Sequence, residues 1–582
     1  MPHPSNPSTV SPMRPRTLAA IVLIIMIAAA TTLHRLGAAD VCGSNEAVEA
    51  VFLQQMVEHD ALLFPLENGR SPMYKPPLFH WTAVAIDRLA GIKTVTAFNL
   101  RLPAALYAIA GVILTIGFAC TFLGPREAIL AGLILTASYQ YIENARIGRV
   151  DMTLCFFETL ALFAFMWWSA PRDIPVAALQ PPGDEADERR GPNYLRYVLA
   201  VALGLAVLAK GPVGALLPGL AILIFLLAAR RLRDIPQLAT PGPVIVTLAI
   251  ASSWYLACLF GRRYGFLHRQ IGSENFGRFF GALGAMPPWY YLKPLLLNSP
   301  PLSLLIPFAV AAAIRTFWRS TSDLSDLSLS GENSGIKSSD DAAPSSESPP
   351  PADAPAMPPQ GIRPSQNPLS IWMSLRMMFL PAMDDPAEDQ PPSAADARRA
   401  VLAVRLFAIF WLVTVLFFTV AAYKRRAYLM PLWPASALIL SWWIASIARA
   451  RSGKILRRAV VATCAILIAI NFFWLPHQEA RECAGDSMRE AAAQINRVVG
   501  PSEPLYLYQF EDEPAPLLFY LNRTAPRIWG KLGDAPPGYV IATAADWDRL
   551  KGQALDLQPV LESSSGRPRL VLLRRGKALA SR

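Results

Sequence analysis

Charged side chains recur in a few short motifs of a chain that is otherwise strongly apolar. The stretch SPMYKPPLFHW, at 71–81, carries Lys75 between two apolar patches, and its prolines keep this lysine out of a helix. LAKGPVG carries Lys210 at a turn between two apolar runs, and YKRRAYLMPLWP carries Lys424 and Tyr428. Each lysine alone could be a membrane-interface anchor. Together these cations favour a binding site for a lipid-linked phosphate.

Carboxylates accompany these cations. GSNEAVEAVFLQQMVEHD places Glu46 on the acidic edge of a predicted interfacial helix, although a solvated helix face would give the same pattern. Asp151 stands at the mouth of an apolar run, and SENFGRFFG supplies Glu274, Asn275 and Arg278. A carboxylate can serve as general base on an acceptor hydroxyl while cations stabilise a phosphate leaving group. The motifs therefore predict group transfer from a phosphate-linked donor.

Composition indicates which elements must position these residues. Of the 582 residues, 53% are hydrophobic and 17% are charged, whereas about a quarter are charged in soluble proteins. A membrane-spanning helix needs about 20 predominantly apolar residues. We predict an α-helical polytopic membrane protein with about 11 transmembrane helices, near 17–34, 103–121, 126–141, 152–169, 195–209, 213–229, 243–260, 297–316, 402–422, 427–447 and 459–476.

The net charge of +11 follows the positive-inside pattern and does not indicate nucleic-acid binding. Basic clusters fall on alternate loops, which predicts a cytoplasmic N-terminus. All the motifs above, and everything after the last span, then lie on the outer side of the cytoplasmic (inner) membrane, in contact with membrane lipids.

The same reading divides the chain into four regions. Residues 1–316 form a membrane catalytic region with an external loop at about 35–102. Residues 317–399 are rich in Ser, Pro and Asp and predict a disordered cytoplasmic insert. Residues 400–476 supply the last transmembrane helices. Residues 477–582 predict a small extracytoplasmic α/β domain.

Cysteine spacing adds little chemistry. Cys42 and Cys483 flank apolar spans and could form a disulfide on the oxidising side, although two cysteines do not establish one. No cysteine pair has the spacing of zinc ligands.

The motifs occur in a telling order: an acidic first loop, KPP, an Arg-Leu-Pro entry to the second span, DM, KG, ENxxRFxG followed by PWYY, and KxxxYxxP. This order, over about residues 17–450, resembles the bacterial C-type (GT-C) glycosyltransferases, which include protein O-mannosyltransferase-like enzymes and lipid A aminoarabinose transferases. The resemblance implies inverting sugar transfer from a polyprenyl-phosphate donor to a lipid, glycan or protein acceptor.

Residue roles follow from the resemblance. Lys75 and Arg278 would bind the donor phosphate, Asp151 would be an active-site carboxylate, and Lys424 and Tyr428 would complete the pocket.

Four features depart from the family pattern: Val48 stands in place of a basic residue, no histidine precedes PWYY, and two further positions bear directly on the chemistry. The family's first loop usually begins with Asp-Glu, the Asp being the favoured base; here Asn45 precedes Glu46, so either Glu46 or Asp151 takes that role. Tyr74 replaces a glutamate proposed as a metal ligand, which disfavours a divalent metal. No other cofactor is expected.

A transporter or flippase for a phosphorylated lipid is the alternative function. It would also need cations in a membrane cavity, but it predicts charges on both leaflets and helix-breaking pairs in matching halves. The sequence has its notable motifs on one predicted side, and this favours the transferase.

Overall fold

A computed structural model describes residues 14–170, 191–282, 284–316, 392–450, 453–510, 514–532, 536–552, 557–563, 566 and 568–575. The predicted insert at 317–399 lies outside these ranges, apart from its last eight residues. A helix begins among these eight residues, at Ala394, and so starts within the predicted insert.

The first half of the chain is helical, with one short hairpin. Its elements are α1 (Pro15–Leu33), α2 (Ser44–Glu58), β1 (Leu66–Glu67), β2 (Ser71–Pro72), α3 (Leu78–Leu89), α4 (Ala97–Phe122), α5 (Pro125–Ala137), α6 (Tyr139–Ala145), α7 (Asp151–Ser169), α8 (Tyr194–Lys210), α9 (Val213–Ala228), α10 (Ile235–Leu238) and α11 (Pro241–Phe260). Proline occupies the first position of α1, α5 and α11, where its missing N–H costs no helical hydrogen bond.

An irregular segment follows α11. It contains α12 (Tyr264–Leu267), a π-helix (His268–Gly277), α13 (Arg278–Phe280), a 3₁₀ turn (Pro288–Tyr291), α14 (Leu292–Leu297) and α15 (Leu302–Arg315). After the insert come α16 (Ala394–Val420), a 3₁₀ turn (Arg426–Leu429), α17 (Leu432–Ala450), α18 (Gly453–Phe473) and α19 (Leu475–Ala484).

All eleven predicted apolar segments coincide with helices. Within the described ranges, six helices are long and apolar enough to cross a membrane, or seven if the bent pair α14–α15 is one span. The predicted class, a mostly helical membrane protein, is therefore confirmed, whereas the number eleven stays a prediction.

The candidate spans differ in how far they are enclosed by the rest of the protein. In α7, 83% of the most apolar window is buried, against 17% in α11. α7 packs against α4, α8 and α9, so it is a central helix of the bundle, and α11 packs mainly on α8. Asp151, the first residue of α7, is thereby placed at the end of the most enclosed candidate span.

The C-terminal region contains a five-stranded mixed sheet. Its elements are α20 (Arg489–Val498), β3 (Leu505–Tyr508), α21 (Ala515–Leu521), β4 (Arg527–Ile528), β5 (Gly538–Thr543), α22 (Ala544–Leu550), β6 (Leu557–Glu562) and β7 (Leu570–Arg575). The strand order is β4-β3-β5-β7-β6, with β3 parallel to β4 and β5, and β7 antiparallel to β5 and β6. The sheet confirms the α/β character predicted for this region.

This region is fastened to the segment that contains α2 and the β1–β2 hairpin. A disulfide joins Cys42 to Cys483, which confirms the pairing considered from the sequence. Asn68 exchanges two hydrogen bonds with the backbone of Ala525, at 2.8 and 2.7 Å. α2 is thus held between the helical bundle and the C-terminal region.

Candidate functional site

α2 delivers a buried carboxylate to Lys75. The Lys75 Nζ donates a hydrogen bond to Oε1 of Glu49, and Nε2 of His80 lies 3.2 Å from the other carboxylate oxygen. The Tyr74 hydroxyl donates to the same Oε1 over 3.4 Å. Burial opposes ionisation of Glu49, but the Lys75 charge, the nearby His80 and the hydrogen bond from Lys75 outweigh it and lower the Glu49 pKa from 4.5 to about 2. Glu49 is therefore a stably charged counterion of Lys75.

Asp151 is held between two further cations. Lys210 Nζ, at the end of α8, donates to Oδ1 over 2.5 Å, and the Arg149 guanidinium lies 3.1 Å from Oδ2. The charge of Asp151 outweighs burial and raises the Arg149 pKa. Asp151 thus fixes the positions of two cations at the start of α7.

The π-helix brings a fourth cation to this place. Arg278, immediately after it, pairs with Glu274 at 2.7 Å and donates a hydrogen bond to the Tyr428 hydroxyl over 3.2 Å. The ring of Tyr428 in turn lies 4.7 Å from Lys210 Nζ, a cation–π distance. π-helical turns are rare in proteins, and those that occur are often found at functional sites.

These contacts form one continuous group, which we call the cation cluster: Lys75, Arg149, Lys210 and Arg278 with Glu49, Tyr74, Asp151, Glu274 and Tyr428. Lys75 interacts electrostatically with both Arg149 and Asp151, and Tyr74 interacts with Arg278 and Glu274. Segments far apart in sequence therefore place four cations and three carboxylates within mutual electrostatic reach.

Glu46, predicted as a catalytic residue, has a different environment. Arg101 Nε and Nη2 donate to its two oxygens over 2.7 and 2.9 Å, and the Gly148 N–H donates to Oε1 over 2.8 Å. Arg101 also binds three backbone carbonyls between α1 and α2, those of Leu36, Ala39 and Asp40. Both carboxylate oxygens of Glu46 are thus occupied, and its geometry is that of a structural ion pair.

Two predicted binding residues stand apart from the charged contacts of the cluster. Lys424 donates to the carbonyls of Ala421 and Met286, at 2.5 and 3.2 Å, and burial lowers its pKa. Among the described residues, the buried Nδ2 of Asn275 has no hydrogen-bond partner. Lys424 ties the α16–α17 turn to the segment before the 3₁₀ turn at Pro288.

Sequence reasoning missed Glu49, His80 and Arg149. Glu49 lies three residues after Glu46 on the same helix, and His80 lies five residues after Lys75. Both were visible in the quoted motifs, but only the fold shows that α2 turns its second glutamate toward the KPP lysine. In the parts of the chain that the structure describes, no three His, Cys, Asp or Glu side chains come together in a way that could hold a metal ion.

The fold formed by these elements is also found in a solved protein structure. ArnT from Cupriavidus metallidurans, in a crystal structure bound to undecaprenyl phosphate, superposes with a TM-score of 0.64 over 97% of this chain and 99% of that chain, at 17% identity. The apo structure of the same protein gives a TM-score of 0.63. At this identity the likeness establishes the fold.

Sequence comparison finds a matching family model and several related proteins. Residues 52–260 match the family model described as dolichyl-phosphate-mannose-protein mannosyltransferase. An uncharacterized protein of Aquifex aeolicus is 26% identical over 283 residues, 48% of this chain and 52% of that protein. An undecaprenyl phosphate-alpha-4-amino-4-deoxy-L-arabinose arabinosyl transferase of Pseudomonas savastanoi pv. phaseolicola is 26% identical over 275 residues, 45% of this chain and 46% of the transferase.

The chain therefore spans about half the length of the curated relatives it matches. Its predicted resemblance to the C-type glycosyltransferases is confirmed by the family model, these relatives and the shared fold.

Proposed function

We propose that this protein is an integral-membrane glycosyltransferase of the inverting C-type. It transfers a sugar from a polyprenyl-phosphate donor to a lipid, glycan or protein acceptor on the outer side of the cytoplasmic membrane. The cation cluster carries the proposal: four cations, brought together at the end of a central apolar helix, suit a phosphate whose tail remains in the bilayer.

In this reaction the acceptor oxygen forms a bond to the sugar carbon, the bond from that carbon to the phosphate oxygen breaks, and polyprenyl phosphate leaves. Lys75 and Arg278 would bind the donor phosphate, and Lys210 and Arg149 would stabilise the charge that develops on it. Tyr428 would orient Arg278 and Lys210, both of which it contacts.

The acceptor proton must pass to a base. Of the two carboxylates predicted for this role, we assign it to Asp151, because Asp151 lies within the cation cluster whereas Glu46 is clamped by Arg101. Its two cations engage both of its oxygens until a donor phosphate competes for them. Donor binding would then prepare the base, which links proton transfer to an occupied site.

The test is sugar transfer in proteoliposomes that contain a radiolabelled undecaprenyl-phosphate sugar and extracted lipid or glycan acceptors. Wild type should transfer label, and Lys75→Met, Arg278→Met and Asp151→Asn should each reduce the rate at least ~100-fold. Unchanged rates in all three variants would refute the assignment of the site. Movement of the labelled lipid between leaflets without any covalent transfer would favour the transporter instead.

A further inference from the structure

Glu49 is a buried carboxylate that the proposed reaction does not use. It is fully buried on α2, and its two oxygens point to different residues: one accepts from Lys75 and Tyr74, and the other lies 3.2 Å from His80 Nε2. A buried carboxylate is costly unless it is paired, so these partners are part of what keeps it charged.

His80 lies behind Glu49 and is itself enclosed. Its side chain has no exposed surface, and the rings of Phe79 and Phe52 meet it edge-on at centroid distances of 5.3 and 6.2 Å. The imidazole is therefore shielded from solvent, and its Nε2 lies beside the far oxygen of the carboxylate. The carboxylate thus has one oxygen toward His80 and the other toward Lys75.

Glu49 is the carboxylate that directly pairs with Lys75 and favours its charged form. Burial lowers the Lys75 pKa, and Glu49 opposes that effect more than any other group does. The charged or titratable groups facing the lysine and its counterion come from four elements: Glu49 on α2, Tyr74 beside the lysine, His80 on α3, and Arg149 and Asp151 at the start of α7. Arg149 lowers the Lys75 pKa further, whereas Asp151 raises it.

We propose that Glu49 is a positioning residue that, together with His80, keeps Lys75 charged and in place within the cation cluster. When the donor phosphate binds, it replaces Glu49 as the partner of Lys75. The proposal rests on the proposed function, in which Lys75 binds the donor. Lysine suits such an exchange because its ammonium is a point charge on a flexible stem and can change partners.

The test measures the affinity of the full-length protein for undecaprenyl phosphate in detergent micelles between pH 5.5 and 9.5. In Glu49→Gln, Lys75 loses its main counterion, so its pKa falls further and its proton is lost at a lower pH than in wild type. The variant should bind the probe at least ~10-fold more weakly at pH 8, and this deficit should shrink as the pH is lowered. The ratio of the two affinities cancels the titration of the phosphate itself.

Two matched variants separate positioning from a general structural effect. Glu49→Asp keeps the charge and should restore most of the undecaprenyl phosphate affinity at alkaline pH. Glu58→Gln makes the same chemical change at the other end of α2, about 13 Å along the helix, and should leave the pH profile unchanged. Glu58 accepts hydrogen bonds from Asn522 and Val95, of which a glutamine oxygen can still accept one.

If Glu49→Gln bound undecaprenyl phosphate as tightly as wild type does at alkaline pH, the proposal would be overturned. If Glu49→Gln does not fold, His80→Phe replaces it: phenylalanine fills the aromatic enclosure but cannot hold the carboxylate, so a smaller shift in the same direction is expected, and an unmoved profile would equally overturn the proposal. Failure of the proposed function itself looks different: wild type would then either bind no undecaprenyl phosphate at any pH or bind it without transferring sugar in the proteoliposome assay.

Discussion

Glu46 and Glu49 lie three residues apart on α2, yet they have different kinds of partner. Glu46 is gripped by Arg101, which also binds carbonyls of the α1–α2 connection. Glu49 is paired with Lys75 and His80 beside the other cations. The two glutamates share a residue type and a helix, so the difference between their environments comes from their basic partners.

The two partners differ in their chemistry. The Arg101 guanidinium is permanently charged and binds both oxygens of Glu46 in a fixed fork, which is suited to holding three segments together. The Lys75 ammonium is a movable point charge whose pKa responds to burial and to its neighbours. Under the proposed function, the Glu46–Arg101 pair persists, whereas the donor phosphate displaces Glu49 from Lys75.

The largest loss of stability should come from breaking the ion pair between Glu46 and Arg101. Glu46→Gln leaves the Arg101 charge buried without its counterion, which should cost about 3–5 kcal/mol in the free energy of unfolding. Chemical unfolding in detergent measures this change, and undecaprenyl phosphate affinity, corrected for the folded fraction, should stay within about twofold of wild type.

A double variant controls for the charge itself. Glu46→Leu combined with Arg101→Met removes both buried charges and should recover part of the lost stability, although the carbonyls that Arg101 bound lose a donor. If Glu46→Gln instead abolished sugar transfer at unchanged stability, Glu46 would be the catalytic base after all.

Much of this arrangement was accessible from the sequence. The eleven apolar runs overlap the long helices of the bundle. The basic and acidic motifs contain Lys75, Asp151, Lys210, Glu274, Arg278 and Tyr428, which the fold brings into contact with one another or with shared partners. Hydropathy and motif order depend on local sequence, so they survive without a structure.

The partner of each glutamate was not accessible. Which face of α2 meets Arg101 and which meets Lys75 depends on how α2 packs against α3, α4 and the C-terminal region, and these contacts join residues up to 465 positions apart. In the sequence, Arg101 is recognisable only as part of the Arg-Leu-Pro motif, because nothing in its neighbourhood shows that Glu46 lies within reach. Charge pairing across such separations is a property of the tertiary fold.

The second prediction concerns the ion pair between Glu49 and Lys75. Lys75→Met keeps most of the side-chain volume but removes the charge, so sugar transfer should fall ~100-fold or more, equivalent to about 2.7 kcal/mol of transition-state stabilisation. Single-turnover transfer from a labelled undecaprenyl-phosphate sugar measures it.

Lys75→Arg sharpens the contrast with Arg101. It keeps the charge but offers Glu49 a fork that is harder to exchange, so an intermediate loss of ~10-fold is expected. Wild-type rates in Lys75→Arg would show that mobility of the lysine is unimportant, and wild-type rates in Lys75→Met would remove Lys75 from the site.

The third effect concerns the tether at the start of α2. Cys42 lies two residues before the helix and is bonded to Cys483, so replacing both cysteines by serine should lower stability by about 2–4 kcal/mol. Unfolding measured with and without reductant checks it: reductant should destabilise wild type and leave the double variant unchanged. Loss of undecaprenyl phosphate affinity in the folded double variant would show that the tether also governs the Glu49 side of the helix.

The smallest effect should come from the side chain of Asp40. Its backbone carbonyl accepts a hydrogen bond from Arg101, but its carboxylate faces outward to Ser487 at 2.6 Å and to Arg489 at 3.1 Å, and the Arg489 side chain is 70% exposed. Solvent screens such a pair, so Asp40→Asn should change the free energy of unfolding by no more than about 1 kcal/mol. Arg489→Ala is the matched control and should have a similar effect. A loss above about 2 kcal/mol in both variants would mean that this exposed contact, and not the buried Arg101 clamp, is what holds the α1–α2 connection in place.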